Sequence, residues 1–256
     1  MLTVISPAKK LDLDPADHAA TEPRLTGDTD ALLGVMRRQG VDDLMRLMSI
    51  SENLARLNRD RFRDWDTAPA KPAVFAFAGD TYTGLDAATM SDDALRQAQG
   101  RLRILSGLYG LLRPLDGIRP YRLEMGTRLA TGRGRSLYDF WGDRIAHLLN
   151  DDARQAGTDL LLNCASREYF GAVRPDALAL RVVTPTFLED KPGGPRVVGF
   201  FAKQARGAMA RFVVDNRIDD PAGLRAFDAG GYAWQADRST PDAPVFLRAD
   251  RARAAA

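Results

Sequence analysis

Three short apolar runs constrain what this chain can fold into, because each is too short for a helix and each leads into polar residues. They occupy residues 2–6, 73–78 and 159–164. Runs of this length and composition are typical of buried β-strands. Segments with helical spacing separate them at irregular intervals. This order predicts an α+β fold, in which helices surround a mixed sheet, rather than a doubly wound parallel sheet.

Capping and turn residues predict where further elements begin and end. Residues 49–52 have the pattern of a capping box and predict a helix that follows to about residue 63. Ser91 predicts the start of another helix, which continues through Leu105. Residues 191–194, Lys-Pro-Gly-Gly, predict a late β-hairpin between the apolar runs on either side of them.

Length and composition indicate one globular unit. The chain has 256 residues, of which 45% are hydrophobic and 27% charged, so we expect a single compact domain over residues 1–256 with a frayed tail at 249–256. No apolar run approaches the roughly 18 residues that cross a bilayer, so no membrane partner is expected. The first residues lack the basic start of a secretory signal, and Cys164 has no second cysteine to pair with. These observations predict a cytoplasmic location.

Basic residues concentrate in two blocks of the sequence. Residues 101–135 hold eight arginines against two acids, and residues 196–217 hold five basic residues against one acid. The net charge of the whole chain is only +2, so the remainder is acidic, including residues 11–30. This segregation predicts that the two blocks form one positive face, although arginine also commonly fills solvated surface.

The first basic block predicts a nucleic-acid interface. A helix that reaches Leu105, the turn at residues 107–110 and the apolar residues after it resemble a helix-hairpin-helix, whose turn amides approach a phosphate while arginines hold its neighbours. Such contacts read the backbone and shape of DNA rather than its sequence. The candidate nucleic-acid-binding residues of the two blocks are Arg101, Arg103, Gly107, Tyr109, Gly110, Arg113, Arg119, Arg122, Lys203, Arg206 and Arg211.

Polar residues that follow the three apolar runs form a second candidate site. If the three strands are parallel neighbours, their carboxyl ends share one edge of the sheet and open on a common crevice. The candidate catalytic residues there are Lys9, Asp80, Asn163, Ser166 and Glu168. Lys9 could meet a phosphate or be activated by desolvation, and Asp80 or Glu168 could act as a base. Polar turns after strands are also simply common.

Other catalytic or metal-binding signatures are absent from the sequence. It contains neither of the glycine-rich phosphate-binding patterns, no nucleophile elbow and no HExxH pair. Cys164 lies in an apolar run and is expected to be a small core residue rather than a nucleophile. With two histidines and one cysteine, no metal site and no cofactor are predicted. The residues alone therefore leave open whether the protein is an enzyme.

Several segments of the sequence resemble the YaaA family of bacterial peroxide-stress proteins. They are ISPAK at 5–9, FAGDTYTGL at 77–85, RILSGLYGLLRPLDGIRPYRLEMG at 103–126, LYDFWGDRI at 137–145, NCASREYF at 163–170 and ARGAMARFVVDNRI at 205–218. Lys10 departs from the family, which usually has threonine after ISPAK. The resemblance implies a cantaloupe-like α+β fold with a positive cleft and a helix-hairpin-helix. It also implies binding to duplex or distorted DNA and a role in limiting free intracellular iron under hydrogen peroxide.

Three hypotheses of function follow from these observations. The leading one is a cytoplasmic DNA-binding stress protein that limits oxidative damage to DNA and protein. The alternative is an enzyme that handles a nucleotide or another small anion, with Lys9, Asn163, Ser166 and Glu168 in one pocket. A third is a scaffold whose positive face binds an acidic protein.

Overall fold

A five-stranded mixed sheet lies at the centre of the α+β fold in the computed structural model, which describes residues 1–249. The described strands are β1 (Leu2–Ile5), β2 (Lys10–Leu11), β3 (Lys71–Pro72), β4 (Phe77–Ala78), β5 (Leu102–Ser106), β6 (Gly110–Leu112), β7 (Gly117–Ile118), β8 (Leu160–Cys164), β9 (Arg181–Val183), β10 (Thr186–Glu189), β11 (Tyr232–Trp234) and β12 (Val245–Arg248). The predicted fold class is confirmed. Of the tail at 249–256, all but the first residue lies outside the described range.

Helices cover the sheet and connect its strands. The described α-helices are α1 (Thr26–Met36), α2 (Val41–Met48), α3 (Glu52–Arg63), α4 (Ala73–Ala76), α5 (Asp80–Leu85), α6 (Asp92–Arg101), α7 (Leu137–Trp141), α8 (Arg144–Gln155), α9 (Arg167–Phe170) and α10 (Gly199–Asp215). The predicted helix start at Ser91 is confirmed, since its hydroxyl accepts a hydrogen bond from the amide of Ala94 at 3.2 Å. The helix expected up to residue 63 is α3, although Ser51 and not Ser49 precedes it.

The central sheet has the strand order β6-β5-β1-β8-β9. β1 is completely buried and pairs in parallel with β5 on one side and β8 on the other. β9 continues the parallel part beyond β8, whereas β6 is antiparallel to β5 and forms one edge. Strands buried on both faces are nearly continuous apolar runs, which is why the sequence of β1 and β8 identified them correctly.

Two sequence-based assignments around the sheet are wrong. Residues 73–78 do not form a strand of the central sheet: they make the short helix α4 and then β4, which pairs with β2. The third parallel strand that flanks β1 is β5, in the segment predicted to be helical as far as Leu105. Helix α6 ends at Arg101. The leucines of β5 have helical spacing, but the burial of all five residues of β5 between β1 and β6 overrides this local preference.

The predicted late hairpin is also only partly formed. Thr184 and Pro185 divide its first run between β9, in the central sheet, and β10, in a second sheet of order β10-β12-β11. Its second run keeps one antiparallel bridge, between Glu189 and Arg196, before α10 begins. Within residues 1–249, no helix has the length and apolar character needed to cross a membrane.

Helix α10 crosses α5 at a point where the two backbones touch. A Cβ atom placed on Gly84 would lie 2.0 Å from the carbonyl oxygen of Gln204, and one on Gly207 would lie 1.8 Å from that of Thr81. Real side chains cannot approach so closely, so both glycines are required by this crossing. The contact fixes α10 against β1 and β8 and thereby positions Arg206, the residue that precedes Gly207.

Candidate functional site at the carboxyl ends of the parallel strands

The segment predicted as a helix-hairpin-helix is a buried β-hairpin, so that prediction is wrong. Residues 102–112 are all buried and form β5, a tight turn and β6. A Cβ atom on Gly107 would lie 2.3 Å from the carbonyl oxygen of Leu123, and Gly110 has φ +69° beside the ring of Trp141. The hydroxyl of buried Tyr109 accepts a hydrogen bond from the amide of Arg119 at 2.9 Å. These glycines and this tyrosine therefore serve packing and are not placed on the surface.

Two helices joined by a short turn do occur elsewhere in the chain, at α2 and α3. Ser49 ends α2 in the left-handed conformation, with φ 50°, and α3 begins three residues later. Arg46 of α2 pairs with Asp43 at 2.5 Å, and Arg56 of α3 pairs with Glu52 at 2.5 Å. The chain therefore contains a pair of helices joined by a turn, but at residues 41–63 and not at residues 101–126, where the sequence predicted one.

Carboxylates neutralise most of the arginines that were predicted to bind nucleic acid. Arg113 pairs with Asp116 at 2.8 Å, Arg122 with Glu124 at 2.9 Å and Arg211 with Asp215 at 2.6 Å. Arg101 pairs with Asp219 and Arg103 with Asp152. The side chain of Arg119 donates to the carbonyl oxygen of Ala68 at 2.9 Å. The cationic top expected for residues 101–126 is therefore absent from the described structure.

The pair formed by Arg103 belongs to a buried cluster of charges. Asp152 accepts hydrogen bonds from Arg103 and Arg24, each at 2.5 Å, and only 1% of its side chain is exposed. Burial alone would raise the pKa of Asp152, but the hydrogen bonds from Arg24 and Arg103 outweigh it and the pKa is lowered. Burial lowers the pKa of Arg103, and the hydrogen bond with Asp152 opposes this shift. This cluster holds the segment around Arg24 against α8 and is structural.

The carboxyl ends of β1 and β8 bring together only part of the predicted set. β1 and β8 end side by side, and the amide of Ser166 donates to the hydroxyl of Ser6 at 2.9 Å. The Tyr82 hydroxyl donates to the carbonyl oxygen of Ser6 at 3.1 Å. Asp80 begins α5, close to the same edge, because a Cβ on its neighbour Gly79 would lie 3.3 Å from Ala8.

Lys9 and Glu168 have separate partners on the side of the edge that faces residues 122–126. The ammonium group of Lys9 pairs with Glu124 at 2.8 Å, and Glu168 accepts a hydrogen bond from the amide of Gly126 at 2.9 Å. The Lys9 side chain is 63% exposed, so it is not desolvated. Sequence reasoning missed Glu124, although it lies in the 103–126 motif.

Asn163 opens into a separate cleft, between the central sheet and α10. This α10 cleft encloses a cavity of about 730 Å³ whose lining includes Asn163, Arg167, Phe170, Thr184, Phe187 and Arg206. Asn163 is 7% exposed; its side-chain oxygen accepts from the amide of Ala165 at 3.0 Å, and its side-chain nitrogen donates to the Thr184 hydroxyl at 3.4 Å. The cleft thus joins one residue from each of the two predicted sites, Asn163 and Arg206.

Five basic side chains that form no ion pair within residues 1–249 line the α10 cleft or lie next to its lining residues in the sequence. Arg167 and Arg206 line it and form no ion pair with residues 1–249. Lys203 is exposed one turn before Arg206 on α10, and Arg174 and Arg196 are next in sequence to residues that line the cleft. We call these five residues the cleft rim. Arg167 lies within the NCASREYF motif but was not singled out from the sequence.

Comparison with known proteins agrees with this assignment of motifs. The sequence matches the family described as "Peroxide stress protein YaaA" over residues 1–238. The chain belongs to this family. It is 58% identical over 252 residues to a UPF0246 protein of Ruegeria pomeroyi, covering 97% of this chain and 98% of that protein. It is 61% identical over 257 residues to one from Cereibacter sphaeroides strain ATCC 17029, covering 97% and 100%. A UPF0246 protein of Jannaschia sp. strain CCS1 is 55% identical over 258 residues, with both chains fully covered.

Membership of the YaaA family raises the question of how Cys164 would respond to peroxide. Its side chain is buried at the end of β8, and burial raises the pKa of its thiol to about 12, a shift that Arg206 opposes only in part. The thiolate is the reactive form, so almost none is present at neutral pH. In this YaaA-family chain Cys164 is placed as a core residue, as its sequence context predicted.

We expect the thiol of Cys164 to resist alkylation in the native protein. Iodoacetamide at pH 7.5 should modify it at least about 100-fold more slowly than in urea-unfolded protein, because burial removes both access and thiolate. Intact-mass spectrometry over time measures the two rates. Native alkylation at the rate of a free thiol would contradict this placement.

No metal centre accompanies the site in the part of the chain that is described. Within residues 1–249, no three side chains of histidine, cysteine, aspartate or glutamate converge closely enough to hold a metal ion.

Proposed function

We propose that this YaaA-family protein is a DNA-binding peroxide-stress protein that contacts DNA through the cleft rim. The observation that carries the proposal is the contrast between the rim, whose cations form no ion pair within residues 1–249, and the arginines at 101–122, which are mostly paired. The peroxide-stress role rests on the family. Limiting free intracellular iron, and with it oxidative damage to DNA and protein in the cytoplasm, is the part of the proposal that the family resemblance implies.

Free cations favour DNA binding for an electrostatic reason. Lysine and arginine that neutralise phosphates release condensed counterions, and this release supplies most of the affinity that does not depend on sequence. An arginine already bound to a carboxylate, such as Arg113 with Asp116, must first lose that partner. The unpaired side chains of Lys203 and Arg206, one turn apart on α10, carry no such penalty.

Exposed apolar side chains beside the rim favour distorted over regular duplex DNA. Phe200 is 51% exposed and Val197 is 54% exposed, next to the rim residue Arg196 and one turn from Lys203. An aromatic side chain in a basic surface stacks on unpaired bases, with about 1–3 kcal/mol per base. Regular duplex DNA offers no unstacked base to such a side chain.

We expect removal of rim charge to reduce the salt dependence of DNA binding. The triple variant Arg174→Gln/Arg196→Gln/Lys203→Gln should lower the slope of log K against log salt by about 0.9 for each phosphate that the protein no longer neutralises, so by roughly 2–3 in total. Fluorescence anisotropy with a 20-base-pair duplex between about 50 and 200 mM salt measures this slope.

A matched control removes the same net charge elsewhere. Arg38→Gln/Arg56→Gln/Arg154→Gln replaces exposed arginines on or next to α1, α3 and α8, and its slope should stay near the wild-type value. Equal slopes for the two triple variants would remove the rim from the interface.

Phe200→Ala should cut the preference for a bubble-containing duplex by about 5-fold to 100-fold and leave regular duplex affinity unchanged. In peroxide-stressed cells, the rim variant should leave more chelatable iron than the control variant.

A further inference from the structure

The α10 cleft is polar at its floor and cationic toward its mouth. Asn163 is 93% buried at the floor, Arg206 is half-buried on the wall and Arg167 is exposed at the edge. Phe170, Phe187 and several aliphatic side chains form the remaining walls. A cleft built for a small inorganic anion would place its cations deepest. This one suits a longer ligand with a neutral, hydrogen-bonding end and an anionic end.

The amide of Asn163 retains one donor and one acceptor for such a ligand. A primary amide has two N–H donors and an oxygen with two lone pairs. The amide of Ala165 uses one lone pair, and the Thr184 hydroxyl uses one N–H through a long contact of 3.4 Å. The remaining donor and acceptor match the edge of a nucleobase, as asparagine does when it binds adenine.

The cationic mouth suits the phosphate of the same ligand. Arg206 lines the wall of the cleft and is half-buried there. Arg167 lines the cleft as well, and neither arginine is paired with a carboxylate of residues 1–249. An unpaired guanidinium offers the bidentate geometry that phosphate prefers.

We propose that the α10 cleft binds a single nucleotide, with the base toward Asn163 and the phosphate at Arg206 and Arg167. The nucleotide is either free or part of a DNA strand from which it has been unstacked; only the second source rests on the proposed DNA binding. A cavity of about 730 Å³ has room for one nucleotide, and its aromatic side chains can pack against a base.

Isothermal titration with AMP tests the free nucleotide. Arg206→Gln should weaken binding about 10-fold to 100-fold, because it removes a charge-assisted contact. Asn163→Asp keeps the oxygen that accepts from Ala165 but adds a negative charge, and should weaken binding at least as much. Arg38→Gln, at an exposed arginine just after α1, is the matched control and should bind AMP as the wild type does. Circular dichroism and the thermal midpoint verify that each variant is folded.

A duplex with one 2-aminopurine opposite a mismatched base tests the nucleotide held in DNA. Unstacking raises the fluorescence of this base, so wild-type protein should increase the signal several-fold, while Arg206→Gln and Asn163→Asp should not. The cleft is supported as a nucleotide site if the wild type either binds AMP or raises the fluorescence, and if both variants lose that signal. Which of the two signals occurs identifies the source of the nucleotide. If neither signal occurs, or if folded variants behave as wild type, the proposal is overturned. The salt dependence of the rim variants would still stand and keep DNA binding separate.

Discussion

Replacing Asp152 with alanine should lower the free energy of unfolding by about 3–5 kcal/mol. Asp152 is the only carboxylate partner that residues 1–249 provide for the buried guanidinium of Arg103, and it also binds Arg24. The alanine would leave one arginine charge buried and a second partly buried, without compensation. Urea denaturation at pH 7, followed by circular dichroism, measures the loss.

The contribution of Asp152 should also depend on pH in a definite direction. Hydrogen bonds from Arg24 and Arg103 hold the folded-state pKa of Asp152 below its usual value, against the opposing effect of burial. A lowered folded-state pKa gives stability that is present above the unfolded-state pKa of about 3.9 and is lost as pH falls through the folded-state value. The stability difference between wild type and Asp152→Ala should therefore be constant from pH 8 to about 5 and shrink below about pH 4.

The neighbouring residue provides a matched control for Asp152. Asp151 is half-exposed on the same helix and pairs with Arg154 one turn away. Exposed pairs of this kind contribute about 0–1 kcal/mol, so Asp151→Ala should change stability by no more than that. Similar losses for the two variants would show that the buried cluster is not what stabilises this part of the fold.

The same cluster explains why the charge pattern of the sequence misled. The first basic block is separated from its acidic partners along the chain, but the fold brings them together. Asp28 of the acidic segment binds Arg133, and Asp152, which lies outside that segment, binds Arg103. A partner that lies 49 residues away, as Asp152 does from Arg103, leaves no local signal. The linear charge count predicted a positive face where the structure has ion pairs.

The parts of the fold that the sequence predicted are those with a local cause. β1 and β8 are continuous apolar runs. Ser91 caps its helix because its hydroxyl accepts a hydrogen bond from the amide of Ala94, only three residues away. β5 was missed because the leucines at 102 and 105 also fit a helical stripe, and only pairing with β1 decides between the two. Such pairing is a property of the whole chain.

The candidate site was predicted in part for the same reason. The rule that polar residues follow parallel strands located Asn163 and Lys9 at one sheet edge. It could not show that the two residues have different neighbours, since Lys9 pairs with Glu124 and Asn163 lines the α10 cleft. The position of α10 depends on a helix crossing that no motif describes.

That crossing leads to the last expected result. Gly207→Ala should lower the free energy of unfolding by about 3 kcal/mol or more, since the new Cβ would lie 1.8 Å from the carbonyl oxygen of Thr81 and 2.8 Å from the amide nitrogen of Leu85. Both are backbone atoms and cannot rotate away, so α5 and α10 must separate. Urea denaturation measures the loss.

Gly34→Ala is the matched control for this substitution. Gly34 lies in the interior of α1, and a Cβ there has no atom within 4 Å. Alanine should therefore be neutral or stabilise the protein by up to about 1 kcal/mol. If Gly207→Ala were equally harmless, the close approach of α5 and α10 would not be what positions α10. If it destabilises as expected, AMP binding by the fraction that stays folded should also weaken, because Arg206 is the residue next to the forced contact.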